Sequence, residues 1–168
     1  TSIGNYAFYL CENLTSISIP NSVNDIGENP FSCCVNLNRV VVHPDHPALA
    51  TIDGVLFNKA DKRLIWYPVS REDTLYEIPQ GIQSIGASAF SGCENLTSIS
   101  IPDSVTSIGD GAFYGCKSLT SISIPNSVTS IENYAFSGCE NLKSISIPDS
   151  VTSIGNYAFY LCENLTSI

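Results

Sequence analysis

Cysteines are the residues of this 168-residue chain that most readily suggest chemistry, and six of the seven recur at one position of a repeated pattern. These six are Cys11, Cys34, Cys93, Cys116, Cys139 and Cys162. A metal site needs ligands that converge on one point, whereas a period of 23 residues makes a line of thiols, one per repeat. Parallel Cα–Cβ directions along such a line also suit a disulfide poorly. We therefore expect the six thiols to be free and buried as small apolar side chains.

A second candidate group is His43, Asp45 and His46, which lie within four residues and have side chains that could bind a metal. Pro44 and Pro47 favour a plain turn here, and no fourth ligand is evident. The chain has no nucleophile elbow, zinc-protease motif, phosphate-binding loop or dinucleotide fingerprint. The sequence therefore predicts a protein that is not an enzyme and has no metal or cofactor.

The third candidate group lies in residues 37–72, a stretch that departs from the repeat. It holds the only tryptophan, Trp66, followed by Tyr67, together with Arg39, Arg63 and three further basic residues. Trp, Tyr and Arg are the side chains that most often anchor protein interfaces. We predict that specific protein contacts involve Arg39, Arg63, Trp66 and Tyr67. The alternative is that the aromatic residues only pack this stretch onto its neighbour.

These groups are positioned by a repeat that covers the whole chain. Full 23-residue units occupy 14–36, 73–95, 96–118, 119–141 and 142–164, partial units occupy 1–13 and 165–168, and the variant unit occupies 37–72. One unit cannot bury its apolar residues alone, but stacked units can. The sequence therefore predicts a single array, a mainly β solenoid of parallel short strands about 4.8 Å apart.

Each unit predicts three segments. In 96–118, Leu96, Ile99 and Ile101 form a strand that ends at Pro102, and Val105 and Ile108 form a second extended piece. The third segment, from Ala112 to Cys116, is typical of a short helical turn that closes the coil. In the variant unit, 52–57 and 63–68 flank a polar five-residue loop and predict a β-hairpin projecting from one edge of the coil.

Composition excludes several function classes. Seven basic against sixteen acidic residues give a net charge of −9, which argues against nucleic-acid binding and against electrostatic docking on anionic membranes. No apolar run approaches a membrane span of roughly 18 residues. The outward strand positions of the regular units are nearly all serine, which predicts a flat hydroxyl-rich surface.

The repeat L-x-x-I-x-I-P-x-x-V-x-x-I-x-x-x-A-F-x-x-C resembles the BspA-like leucine-rich repeat of the Treponema pallidum type. That resemblance implies a right-handed leucine-rich-repeat solenoid with a concave parallel sheet. It also implies a cell-surface or secreted protein of a host-associated microbe that adheres to host or microbial proteins. The alternative is a structural stalk with no ligand of its own.

The two ends of the chain carry the same sequence, because residues 1–17 and 152–168 are identical. Neither end has the polar capping unit that keeps a solenoid from associating. We therefore expect the isolated chain to associate end to end.

Overall fold

The computed structural model describes all residues from Thr1 to Ile168, and its regular elements are all short β-strands. The strands are β1 Ser2–Ile3, β2 Ser16–Ile19, β3 Asp25–Ile26, β4 Arg39–Val42, β5 Leu49–Ile52, β6 Val55–Asn58, β7 Arg63–Trp66, β8 Leu75–Glu77, β9 Ser84–Ile85, β10 Ser98–Ser100, β11 Ser107–Ile108, β12 Ser121–Ser123, β13 Ser130–Ile131, β14 Ser144–Ser146 and β15 Ser153–Ile154. No segment forms a helix long and apolar enough to cross a membrane.

The first strand of each regular unit pairs in parallel with the same strand of the next unit. The order is β14-β12-β10-β8, and the register is one repeat, with Ile99 opposite Ile122 and Ser98 opposite Ser121. Because side chains alternate along a strand, the isoleucines point into the core and the serines line the outer face. The predicted parallel solenoid and its 23-residue register are confirmed.

The second strand of each unit builds another parallel ladder. Strands β9, β11, β13 and β15 lie side by side, and the variant unit adds β7, β6 and β5 at one end. The N-terminal strands form separate pairs, β1 with β3 and β2 with β4, the first strand of the variant unit. The variant unit therefore interrupts both ladders.

The third segment of the unit, which we call the arc, is not the helical turn that the sequence predicted. Arcs are residues 5–11, 28–34, 87–93, 110–116, 133–139 and 156–162. Each contains two residues with positive φ, four positions apart, such as Gly111 at 57° and Gly115 at 68°. Left-handed residues at this spacing end a right-handed helix before it completes a turn. Between them, Phe113 N donates to Ala135 O of the next coil at 2.7 Å, so arcs also stack as a ladder.

The variant unit is a three-stranded antiparallel meander. The predicted hairpin is confirmed in β6 and β7, which pair with Phe57 opposite Leu64. Strand β5 was not predicted, because Asp53-Gly54 is a two-residue turn and not the middle of a strand. Its positive φ values of 50° and 81° suit a tight hairpin. The hairpin does not project from the coil, because β7 pairs in parallel with β9 and is part of the sheet.

The meander divides the interior into two apolar clusters. The smaller cluster has 12 buried residues, from the N-terminal coils and the meander, and the larger has 29, from the meander and the C-terminal coils. Leu56 and Ile65 face the smaller cluster, whereas Phe57 and Leu64 face the larger one. The meander is therefore a sheet with two apolar faces that separates the two clusters.

Candidate functional site

Two of the four residues that the sequence singled out for protein contacts lie inside the molecule. Trp66 is 6% exposed and belongs to the smaller cluster, and Tyr67 is 1% exposed and belongs to the larger one. Neither side chain can anchor a partner on an outer face without opening a core. Their position fits the alternative interpretation, in which the aromatic residues pack the variant unit onto its neighbour.

Trp66 and Tyr67 join two stacks of phenylalanines. Phe31 packs edge-on against Trp66 with ring centroids 5.9 Å apart, and Tyr67 packs on Phe90 at 5.1 Å. Beyond Phe90 the regular stack continues to Phe113 at 5.2 Å. Trp66 and Tyr67 therefore lie in the gap between the two phenylalanine stacks, where a regular coil would contribute one phenylalanine.

The two arginines occupy different environments. Arg63 reaches from the meander to the N-terminal coils, where its Nη2 donates to Ile26 O at 2.8 Å, and its Nε lies 3.3 Å from Asp61 Oδ2. It therefore links the meander to the N-terminal coils. Arg39 is exposed on β4, so it is the one member of the group whose side chain is freely available to a partner.

A cleft of about 690 Å³, which we call the notch, opens where the variant unit contributes no arc. The arc 28–34 forms one wall and the arc 87–93 forms the other. The little exposed surface of Ile65, Trp66 and Tyr67 forms its floor. The notch is therefore a gap of missing repeat structure in an otherwise continuous row of arcs.

Exposed tyrosines form the most prominent aromatic surface of the molecule. Six of the eight tyrosines lie on arcs and are 43–60% exposed, and we call them the tyrosine surface: Tyr6, Tyr9, Tyr114, Tyr134, Tyr157 and Tyr160. Tyr134 stacks on Tyr157 with centroids 5.2 Å apart. Sequence reasoning missed this surface, although all six fall at two repeat positions. The signal was present in that spacing, but it required knowledge of which arc positions point outward.

The cysteine line is buried, as expected, except near the chain ends. Cys34, Cys93, Cys116 and Cys139 are buried, Cys162 is half-buried and Cys11 is exposed. Each buried thiol from Cys116 on donates to a phenylalanine carbonyl of the preceding coil, at 3.1 Å for Cys116 to Phe90 O. Burial raises the pKa of Cys93, Cys116 and Cys139 well above the ordinary thiol value. These thiols are therefore neutral packing groups and poor nucleophiles.

Thiol labelling of the folded chain should separate the cysteines by position. We expect Cys33 and Cys11, which are exposed, to be labelled in the folded chain. Cys93, Cys116 and Cys139 should react only after unfolding, because they are both inaccessible and protonated. Mass spectrometry after labelling with and without denaturant measures this. Equal labelling of Cys116 and Cys33 in the folded chain would contradict the burial of the line.

His46 is a structural residue and not a free ligand. It is fully buried, its Nδ1 accepts from Leu49 N at 3.0 Å and from Ala48 N at 3.2 Å, and its Nε2 lies 3.2 Å from Pro20 O. Both ring nitrogens are thus engaged by backbone groups. The ring fastens the turn before β5 to the N-terminal coils, which agrees with the plain turn favoured for this segment.

Two phenols that pack against Phe90 are also neutral. Tyr67 donates to Asp73 Oδ2 at 3.3 Å, and burial raises its pKa. Burial likewise raises the pKa of Tyr76 to about 12. Neither phenol is ionised near neutral pH, so neither supplies a base.

The comparison with protein families matches a model described as the BspA type leucine rich repeat region, in six copies over residues 1–63 and 73–168. The chain belongs to the BspA-type leucine-rich repeat family. No curated protein matches the chain at a significant level. The similar solved structures are leucine-rich repeat proteins of bacteria, and one of them is described as a cell surface protein.

Three solved structures show how far this BspA-type fold is shared. A leucine-rich repeat protein from Eubacterium ventriosum is 35% identical with a TM-score of 0.91, covering 100% of this chain and 45% of that one. A leucine-rich cell surface protein from Faecalibacterium prausnitzii is 36% identical with a TM-score of 0.71, covering 92% and 47%. The leucine-rich repeat protein of T. pallidum is 30% identical with a TM-score of 0.59, covering 98% and 71%. The chain therefore spans less than half the length of the first two.

Proposed function

We propose that this chain is a non-catalytic binding module of a bacterial cell-surface or secreted protein, and that it adheres to host or microbial proteins. The observation that carries the proposal is the tyrosine surface. Tyrosine supplies a large, rigid contact area with a polar end at a low cost in side-chain entropy. Six exposed rings on one side of a rigid solenoid suit protein recognition better than catalysis.

The other outer face supports recognition less well. The strand serines Ser121, Ser123, Ser144 and Ser146 are exposed and form a flat surface of small side chains. Serine is under-represented among residues that dominate binding energy, whereas tyrosine is enriched. The proposal therefore assigns adhesion to the arcs and keeps Arg39 as an additional contact on β4.

Adhesion can be tested with variants that the repeat itself already accepts. Tyr134→Ser places the residue of Ser88 at the equivalent arc position, and Tyr114→Ser places the residue of Ser91. We expect the double variant to bind immobilised extracellular-matrix proteins and epithelial cells at least about tenfold more weakly than the unaltered chain. Binding that persists in the double variant would contradict the role of the tyrosine surface.

Two matched variants locate the contact. Ser121→Ala with Ser144→Ala changes the strand face by a similar number of groups, and we expect no loss of binding. Arg39→Ala measures the contribution of the one exposed residue from the sequence prediction. A loss confined to the serine variants would transfer the adhesive surface to the strand face.

The alternative is a spacer that holds another domain away from the cell. The uniform coils over residues 96–164, with the same serine strand in each unit, favour it. A chain that binds none of the matrix proteins or cells, in an otherwise folded state, would support the spacer.

We also propose that the isolated chain associates end to end. Ile154 and Ile168 in the last coil are 49% and 69% exposed, although their repeat equivalents are core residues. Apolar strands without a neighbour are templates for pairing with another chain. Light scattering over a concentration series should show mass increasing without a fixed limit. A constant monomer mass at high concentration would contradict the proposal.

A further inference from the structure

We propose that the notch binds an extended, uncharged segment of polypeptide, which occupies the part of the missing arc's place that the meander leaves open. The inference rests on the proposed function, because it gives the protein-binding module a specific receptor site. It is carried by backbone groups on both walls, by one buried side chain and by the charge of the lining.

The first wall presents a row of backbone donors without acceptors. In the regular coils, three N–H groups of each arc donate to the next arc, as Ser88, Phe90 and Gly92 do to Asp110, Ala112 and Tyr114 at 2.8 Å. The equivalent donors in the arc 28–34 are Asn29 N, Phe31 N and Cys33 N. None of the three has an acceptor within the protein. An added strand with carbonyls at alternate residues matches this row.

The opposite wall presents unused acceptors. In the arc 87–93, Ala89 O accepts from Tyr67 N at 2.8 Å, so the meander fills the middle position. Ala87 O and Ser91 O, on either side, accept no hydrogen bond. The notch therefore offers three donors on one side and, with the middle acceptor taken by Tyr67, two acceptors on the other. A bound polypeptide segment can pair with the first wall through its carbonyls and with the second through its N–H groups.

The buried side chain of Asn29 also favours a polypeptide as the occupant of the notch. Asn29 is 7% exposed and lines the notch, and its Nδ2 donates to Tyr6 Oη at 3.1 Å. Its Oδ1 is buried and has no partner. Leaving a buried acceptor unpaired is unfavourable, and an N–H group of a bound segment would satisfy it.

The lining selects against charged side chains. Glu94 and Lys117 are its charged residues, and they pair with each other, with Lys117 Nζ 2.8 Å from Glu94 Oε1. The floor of Ile65, Trp66 and Tyr67 is apolar and already filled by large side chains. The segment that fits is therefore uncharged and has small side chains where it crosses the floor.

The test uses a random heptapeptide library displayed on phage, selected on the immobilised chain. Ser91→Tyr serves for counter-selection, because Ser91 lines the notch and the repeat accepts tyrosine at this arc position in Tyr9, Tyr114 and Tyr160, so the added ring would obstruct the notch. Ser121→Tyr adds the same ring on the strand face as a control. Enriched peptides are then synthesised, and amide exchange of the isotopically labelled chain is followed by NMR.

We expect enriched peptides without charged residues, which bind the unaltered chain and Ser121→Tyr equally and Ser91→Tyr at least about tenfold more weakly. Their binding should slow the exchange of the amides of Asn29, Phe31 and Cys33. Asn29→Gly, which places the residue of Gly111 at its equivalent position, should weaken binding while leaving the fold intact.

Three results would overturn the proposal. The first is that no peptide distinguishes the unaltered chain from Ser91→Tyr, and the second is that bound peptides leave the three amides unchanged. The third is a concentration-dependent dimer that Ser91→Tyr abolishes, since the occupant would then be a second copy of this chain. In each case, matrix binding that remains sensitive to Tyr134→Ser would leave the proposed function standing. If Tyr134→Ser left matrix binding unchanged while the peptides still bound the notch, only the role of the tyrosine surface would be rejected.

Discussion

A Trp66→Ala variant should lose about 3–5 kcal/mol of unfolding free energy, the cost typical of removing a buried aromatic side chain. Trp66 packs against Phe31 at 5.9 Å and is the largest member of the smaller cluster. That cluster has only 12 buried residues, so it has little other apolar area to hold the N-terminal coils to the meander. Denaturant unfolding followed by circular dichroism measures the loss.

The location of the loss is as informative as its size. Hydrogen exchange should show that residues 14–42 lose protection first, while the coils from 96 to 164 keep theirs, because repeat arrays unfold locally. Trp66→Phe is the matched control and should cost less than Trp66→Ala, since it keeps a ring against Phe31 and leaves a smaller cavity. A loss below about 1 kcal/mol in Trp66→Ala, or one spread evenly over all coils, would contradict the separation of the interior into two clusters by the meander.

Gly109→Ala should destabilise the chain by about 1–3 kcal/mol, because adjacent coils meet backbone to backbone at this position. A Cβ on Gly109 would lie 2.8 Å from Ala87 N and 3.0 Å from Ile85 O, closer than a carbon atom can approach without displacement. Glu132 holds a side chain at the equivalent position of the next coil. The expected cost is therefore a local displacement of coils and not loss of the fold.

Gly4 is the matched control for this substitution. It occupies the same repeat position in the coil of residues 1–13, and a Cβ there would meet nothing within 4 Å. Gly4→Ala should therefore change the free energy of unfolding by less than about 0.5 kcal/mol. Equal effects of the two substitutions would show that coil contact is not the reason for glycine at this position.

The repeat made most of the fold predictable from sequence. A 23-residue period fixes which residues are neighbours in adjacent coils, so the pairing of Ile99 with Ile122 followed directly. The arc was harder, because its path depends on positive φ at residues such as Gly111 and also at Tyr134, where the residue type gives no hint of a left-handed backbone.

The hairpin of the variant unit was predictable from the sequence, but its position between two apolar clusters was not. Its runs Val55-Leu56-Phe57 and Leu64-Ile65-Trp66-Tyr67 lack alternation of apolar and polar residues, which is typical of strands buried on both faces. This lack of alternation explains why both Trp66 and Tyr67 are buried. Asp53-Gly54 is a hairpin turn signal, and reading it as the middle of a strand concealed β5.

The notch was not predictable from residue types. Its sequence signal is an absence, since 37–72 has no A-F-x-x-C segment. Which donors remain unpaired as a result depends on how the meander fills the gap, and Tyr67 fills one position through its backbone. Only the three-dimensional arrangement reveals that the other positions stay open.

Amide hydrogen exchange at residues 29, 31 and 33 tests the central claim most directly, namely that the variant unit leaves one rung of the arc ladder open. The comparison is internal, because Ser88, Phe90 and Gly92 are the equivalent residues in a coil whose donors are all paired. We expect Asn29, Phe31 and Cys33 to exchange markedly faster than these three in the folded chain without ligand. Equal protection of the two sets would show that the rung is closed and that the notch has no unpaired backbone to offer.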